Sequence, residues 1–159
     1  MSWLARKENY QWLEFASGSQ LLQPGTLKMM LQRDAHCIRA FTSGSDDSPI
    51  GVVALSNITQ TFKTAMLWYA LGDKQYAGRG CTTRAVHEIL ELGFGTLGLR
   101  AVGAWAVSTN RPSIRVLEHN HFQAMGRLRA AHEIDGQVFD RLLFDLLANE
   151  YKGNSSAQT

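Results

Sequence analysis

The tightest constraint in this chain is a pair of glycines, Gly78-Arg79-Gly80, between an apolar strand pattern and a long amphipathic helix pattern. Glycine at a strand-to-helix turn removes side chains from the bend, so backbone N–H groups can converge on an anion at the positive end of the helix dipole. The helix pattern follows at once. Val86, Leu90, Gly93 and Leu97 recur at spacings of four, three and four, and Ala85, Ile89 and Leu92 widen the stripe. Arg84/Glu88 and His87/Glu91 sit four apart on its polar side, and Gly98 is placed to end it.

Upstream, Cys37–Phe41, Ile50–Leu55 and Ala65–Leu71 read as strands. Their short, polar, turn-rich links predict antiparallel neighbours, because parallel pairs need a long crossover. Downstream, residues 101–107 form a nearly all-apolar strand. A helix capped within Ser108–Asn110 then runs to about Asn120, and strands over 122–131 and 138–147 meet at Asp135-Gly136, a hairpin signal. Before the first strand, Leu4, Trp12 and Phe15 predict one amphipathic helix ending near Gly18, and residues 26–33 fit a short helix or a strand. The order is helix, three antiparallel strands, helix, strand, helix, strand pair. That is a mixed α/β (α+β) class with a mostly antiparallel sheet, neither a repeated βαβ fold nor a bundle.

Two well-known phosphate motifs fail here. A dinucleotide fingerprint wants a third glycine where Thr83 stands, and a P-loop wants Gly-Lys-Ser/Thr. A phosphate or pyrophosphate remains the natural guest of Gln75-Tyr76-Ala77-Gly78-Arg79-Gly80-Cys81-Thr82, with Arg79 adding a charge-assisted contact. The same glycines equally fit a tight turn that needs them only for its backbone angles.

Composition narrows the rest. A chain of 159 residues, 45% apolar, fits one domain over residues 1–150 with a polar, disordered tail over 151–159. No apolar run approaches the ~20 residues of a membrane helix, and the opening residues lack a signal-peptide order. Cys37 and Cys81 make no disulfide framework, and no Cys/His spacing resembles a zinc site, so a cytoplasmic setting without a metal is expected. A net charge of +2 with no Lys/Arg block argues against nucleic acid as a partner.

Gln75-x-x-Gly78-x-Gly80 resembles the Gln/Arg-x-x-Gly-x-Gly/Ala signature of the GCN5-related N-acetyltransferase (GNAT) superfamily. The resemblance continues in Asn110-x-x-Ser113-x-Arg115-Val116-Leu117-Glu118, followed by Phe122. This pattern is similar to the branch of the ribosomal-protein-alanine N-acetyltransferases. It implies a central sheet flanked by helices and splayed between the strands near 64–71 and 101–107. It also implies acetyl-CoA as cosubstrate and direct attack by a primary amine, on a small molecule or a peptide N-terminus, in a ternary complex. Trp68, Tyr69, Ala70 and Leu71 would lie along the pantetheine arm. Gln75, Ala77, Gly78, Arg79, Gly80, Cys81 and Thr82 would hold the pyrophosphate, with Asn110 and Arg115 as further cofactor contacts. Ser113 would donate the proton to the departing thiolate. Each has a plainer role: Asn110 is an excellent helix cap, Ser is ordinary in a first turn, and Cys81 suits a small packing position.

The chain departs from the pattern at His121, where the family usually has Gly, and at Leu117, where many members carry an acidic Tyr. Residues 1–33 are expected to stand in for a reduced first strand and helix on the acceptor side, with a homodimer covering exposed sheet. The five histidines, Asp73, Glu133, Asp135 and a water relay to bulk solvent all compete for the role of general base, and no one of them stands out. A non-catalytic acyl-CoA sensor on the same fold is the alternative function.

Overall fold

The computed structural model describes residues 2–15 and 18–153. Six strands form one sheet: β1 (Cys37–Thr42), β2 (Pro49–Thr59), β3 (Thr64–Leu71), β4 (Ala101–Val107), β5 (Gln123–Ile134) and β6 (Gln137–Leu147), in the order β1-β2-β3-β4-β6-β5. Every neighbouring pair is antiparallel except β3 and β4. That parallel pair is joined by the crossover helix α3 (Cys81–Glu91), which continues through a π turn over Leu92–Thr96. Gly98, at φ +62°, then reverses the chain into β4. The helix α4 (Arg111–His119) links β4 to β5.

The sheet divides the core in two, as alternation of side chains along strands requires. Val53, Leu55, Leu67 and Val102 face α3 and α4, packing with Val86, Leu90 and Leu117. Ile38, Val52, Ala54 and Ala70 face the opposite way and are covered by Leu4, Leu13 and Leu22. At the hairpin tip, Asp135 and Gly136 both take positive φ, 52° and 76°, as their dipeptide predicts.

The N-terminal segment corrects the sequence reading. In place of one amphipathic helix there is a 3-10 turn over Ser2–Ala5 and the four-residue helix α1 (Lys7–Tyr10), with non-helical chain over 11–15; residues 16–17 of the expected helix lie outside the described residues. Asn9 is buried, and its amide donates to the carbonyls of Trp3 and Gly72. A short isolated helix is marginal in water, and this polar anchor plus burial of Leu13 outweighs it. The ambiguous stretch resolves as α2 (Pro24–Leu31), entered through proline in its first turn. At the other end, Tyr151 is half-buried, stacks between His87 and Phe94, and donates its hydroxyl to the His87 carbonyl. The rest of the expected tail, residues 154–159, lies outside the described residues.

Candidate active site

β3 and β4 pair only through Thr64–Ala101, Ala65–Val102 and Met66–Gly103. Beyond Met66 and Gly103 the two strands part, leaving a wedge that no backbone hydrogen bonds close. The wedge opens into a cavity of about 650 Å³ bordered by Trp68, Tyr69, Trp105, Ala106, Asn110 and Ser113. Its other walls come from the N-terminal segment, which contributes Trp12, Glu14 and Phe15, from α2, and from the link between α2 and β1, which contributes Arg33 and His36.

Successive residues of β3 serve opposite faces. Trp68 turns toward the N-terminal segment, donates its indole N–H to the Ser56 hydroxyl at 2.8 Å and meets Phe15 edge-on at 5.1 Å. Tyr69 turns the other way and reaches α4. Its hydroxyl donates to the Ser113 carbonyl at 2.9 Å and lies 2.9 Å from the Ser113 hydroxyl. Burial pushes the Tyr69 hydroxyl well above the usual phenol range, against a smaller lowering by Ser113. The sequence reading places Tyr69 along the pantetheine arm. Its hydroxyl partnership with Ser113 joins positions 44 residues apart, and no spacing rule reveals it. Ala70 is buried under the N-terminal segment, and Leu71 packs against the α3 side.

The glycine turn follows β3 directly. Asp73 accepts from the Gln75 N–H and, at 2.7 Å, from the Gln75 side-chain amide, so Gln75 braces the loop from within. Ala77, Gly78, Arg79 and Gly80 are all exposed, and the Arg79 guanidinium rests over the Tyr76 ring at 5.2 Å. Gly78 and Gly80 have φ of +73° and +74°, and a Cβ at either would meet nothing within 4 Å. They are there for their backbone angles and leave open space above the turn. Gly80 caps α3 without a side chain, so the first-turn N–H groups, including those of Cys81 and Thr82, have no side-chain acceptor. An anion fits this set of unmet donors. The Cys81 side chain is buried in the core and leaves only its backbone for such a role.

Asn110 does cap α4: its side-chain oxygen accepts from the Ser113 N–H at 3.4 Å. It borders the cavity at the same time. Arg115, two residues beyond Ser113, is exposed on α4 and makes no side-chain hydrogen bond among the described residues. The structure also shows why the family usually has Gly where His121 stands. His121 sits at φ +64°, one residue past the α4 cap, where its N–H bonds the Glu118 carbonyl and the Phe122 N–H bonds the Leu117 carbonyl. This is a complete Schellman turn, whose left-handed position favours glycine.

The base candidates sort themselves by place. His132 is buried, with Nδ1 accepting from Arg141 and Nε2 2.7 Å from the Gln11 carbonyl. His119 sits against the Arg115 carbonyl, His87 against Tyr151, and His121 in the Schellman turn. Asp73 is engaged by Gln75, Asp135 pairs with Lys7, and Glu133 is exposed. Among the described residues, His36 is the histidine that borders the cavity. Burial, and secondarily Arg33, hold it below the ordinary imidazole range. No group of three or more His, Cys, Asp or Glu among the described residues is placed to hold a metal, and no helix there is long and apolar enough to cross a membrane.

The chain is similar to an uncharacterized N-acetyltransferase, p20, of Bacillus licheniformis. The identity is 34% over 107 residues, covering 67% of this chain and 60% of that protein. The chain thus spans under two thirds of the length of the curated relatives it matches. In fold it is similar to the ribosomal-protein-S5-alanine acetyltransferase of Vibrio fischeri, with a TM-score of 0.76 at 22% identity, covering 95% of this chain and 87% of that one. It is similar also to RimJ of Mycobacterium smegmatis in complex with CoA-disulfide, with a TM-score of 0.74 at 21% identity, covering 89% of this chain and 71% of that one. The model of the acetyltransferase (GNAT) domain matches residues 3–123, which include the splayed strands, the glycine turn and α4, and the chain belongs to that family.

Proposed function

We propose that this protein is an acetyl-CoA-dependent N-acetyltransferase that passes the acetyl group to a primary amine by direct attack in a ternary complex. The observation that carries the proposal is the wedge between β3 and β4, with the open glycine turn at one end and the Tyr69–Ser113 pair on its wall. The turn and the first N–H groups of α3 hold the pyrophosphate, with Arg79 adding charge. The unpaired edge of β3 from Leu67 to Leu71 offers strand-like hydrogen bonds to the pantetheine amides, and an N–H there polarises the thioester carbonyl.

Attack by a neutral amine forms the C–N bond and breaks the C–S bond, releasing a thiolate; the proton the nitrogen sheds passes through solvent water and restores the one Ser113 gives to the sulfur. Ser113 donates its hydroxyl hydrogen bond to that sulfur. Tyr69 stands behind Ser113 with a phenol that stays protonated, and it turns its own hydrogen bond onto the Ser113 oxygen as that proton moves forward. Asn110 keeps Ser113 in place by capping the same turn of helix.

Two further proposals attach to this reading. A cytoplasmic setting is supported by two free cysteines, with Cys81 buried as a reduced packing residue. A homodimer is supported by the edge strand β5, which leaves Met125 and Leu128 exposed.

The test is thiol release from acetyl-CoA with a panel of amines and peptides, beside calorimetric acetyl-CoA binding. Turnover that falls sharply in Ser113→Ala, with acetyl-CoA affinity kept, is the expected result. Tight acetyl-CoA binding with no thiol release across the panel would make the protein a sensor.

A further inference from the structure

We infer that the acceptor is an extended amine whose far end is anionic, and that Arg33 and His36 receive that end. The inference rests on the acetyltransferase reading for the placement of the amine at the wedge.

The cavity has two chemically distinct ends. Tyr69, Asn110 and Ser113 lie at the wedge, where β3 and β4 part. Arg33 and His36 lie before β1, on the far side of β2. His36 directly precedes the Cys37–Leu55 pair and so stands beside Ser56, which in turn pairs with Met66 on β3. Two strand spacings of about 4.8 Å put this end about 10 Å from β3. The span between is walled by Trp12, Phe15, Trp68 and Trp105, which suits an apolar body.

Charge decides what the far end takes. The charged residues on the wall are Glu14 and Arg33. Glu14 is already paired with Arg141, whose guanidinium is stacked over Trp105 at 4.0 Å and hydrogen-bonded to His132. Arg33 has no carboxylate within ion-pair distance among the described residues. The uncompensated charge on the wall is therefore positive. His36 adds a second unmet group: its Nδ1 is buried, its Nε2 is not, and neither ring nitrogen has a hydrogen-bond partner among the described residues. A carboxylate answers both, accepting from the guanidinium and from the imidazole N–H. A second ammonium, as in a diamine or polyamine, would face Arg33 with like charge and could accept from neither group.

Calorimetry on the full chain, with and without CoA, tests this with three ligands of one length: 8-aminooctanoate, octylamine and 1,8-diaminooctane. The expected result is that 8-aminooctanoate binds at least about tenfold more tightly than the diamine, the factor one charge-assisted pair supplies. Arg33→Gln, at an exposed position, should erase that preference, and His36→Phe should reduce it. Equal binding, preferred binding of the diamine, no binding of 8-aminooctanoate, or a preference that survives Arg33→Gln would each overturn the inference. Thiol release with 1,8-diaminooctane as the better acceptor would overturn it while leaving the acetyltransferase reading intact. Selective binding of 8-aminooctanoate without thiol release from acetyl-CoA would do the reverse.

Discussion

The Tyr69 hydroxyl lies 2.9 Å from both the carbonyl and the hydroxyl oxygen of Ser113, tying β3 to α4 across the mouth of the wedge. A phenol has one proton. While it is spent on the carbonyl, the Ser113 hydroxyl points its own proton at Tyr69. When it turns to the Ser113 oxygen, the serine proton is free for a leaving group. Tyr69→Phe should therefore lower turnover by about ten- to a hundredfold while leaving acetyl-CoA affinity unchanged. It should also cost about 1–2 kcal/mol of stability for the lost hydrogen bonds. Steady-state kinetics, calorimetry and urea unfolding separate the three effects, and a variant with unchanged kcat would remove Tyr69 from the proton path.

At the glycine turn, backbone angle and anion binding can be pulled apart. Gly78→Ala and Gly80→Ala meet no neighbour, so each should cost only the left-handed backbone, about 1 kcal/mol. Aspartate tolerates that conformation better but sets a negative charge where the proposed reading seats the pyrophosphate. Gly78→Asp and Gly80→Asp should thus weaken acetyl-CoA more than the alanine variants do, with a smaller loss of Tm. Calorimetric Kd values in the reverse order would mean the turn serves the fold alone.

His121 occupies the left-handed position of the Schellman turn that ends α4. Replacing it with glycine relieves roughly 1–2 kcal/mol of backbone strain and gives back part of that through a freer unfolded chain. His121→Gly should raise stability by about 0.5–1 kcal/mol net, read by denaturant midpoint at unchanged m. A lower midpoint would mean the imidazole makes a contribution that its exposed position does not show.

Acid should destabilise the N-terminal cover of the sheet. Burial, and to a lesser degree Arg141, hold His132 below the ordinary imidazole value of 6.5, against opposing effects of the Gln11 carbonyl and Glu14. A histidine depressed in the folded state binds protons more readily when unfolded, so its stabilisation is complete above pH 6.5. It is lost as pH falls from there through the folded value. His36, also held low, adds a contribution of the same sign. Unfolding free energy should decline below about pH 6.5, and His132→Phe should flatten part of that slope. A slope left intact by His132→Phe would show that the buried imidazole does not set it.

Local pattern made much of this protein legible. Two glycines and a helical stripe located the strand-to-helix turn and α3, alternation located the strands, and Asp135-Gly136 located the hairpin, because each depends on contacts within a few residues. Even the Asn110 cap follows from its own turn of helix. The N-terminal segment was misjudged for the opposite reason. Its apolar spacing is nearly helical, yet its conformation is chosen by Gly72 and the sheet face, far along the chain.

What the sequence by itself determined, then, is the order of strands and helices from β1 onward and the glycine turn before α3, both products of short-range stereochemistry. Only the tertiary structure decided that the β3–β4 pairing stops at Met66, that Tyr69 meets Ser113 and that Glu14 is claimed by Arg141 while Arg33 has no ion-pair partner among the described residues. Those relationships join residues 37 to 127 positions apart, and packing of whole elements, not any local preference, brings such groups together.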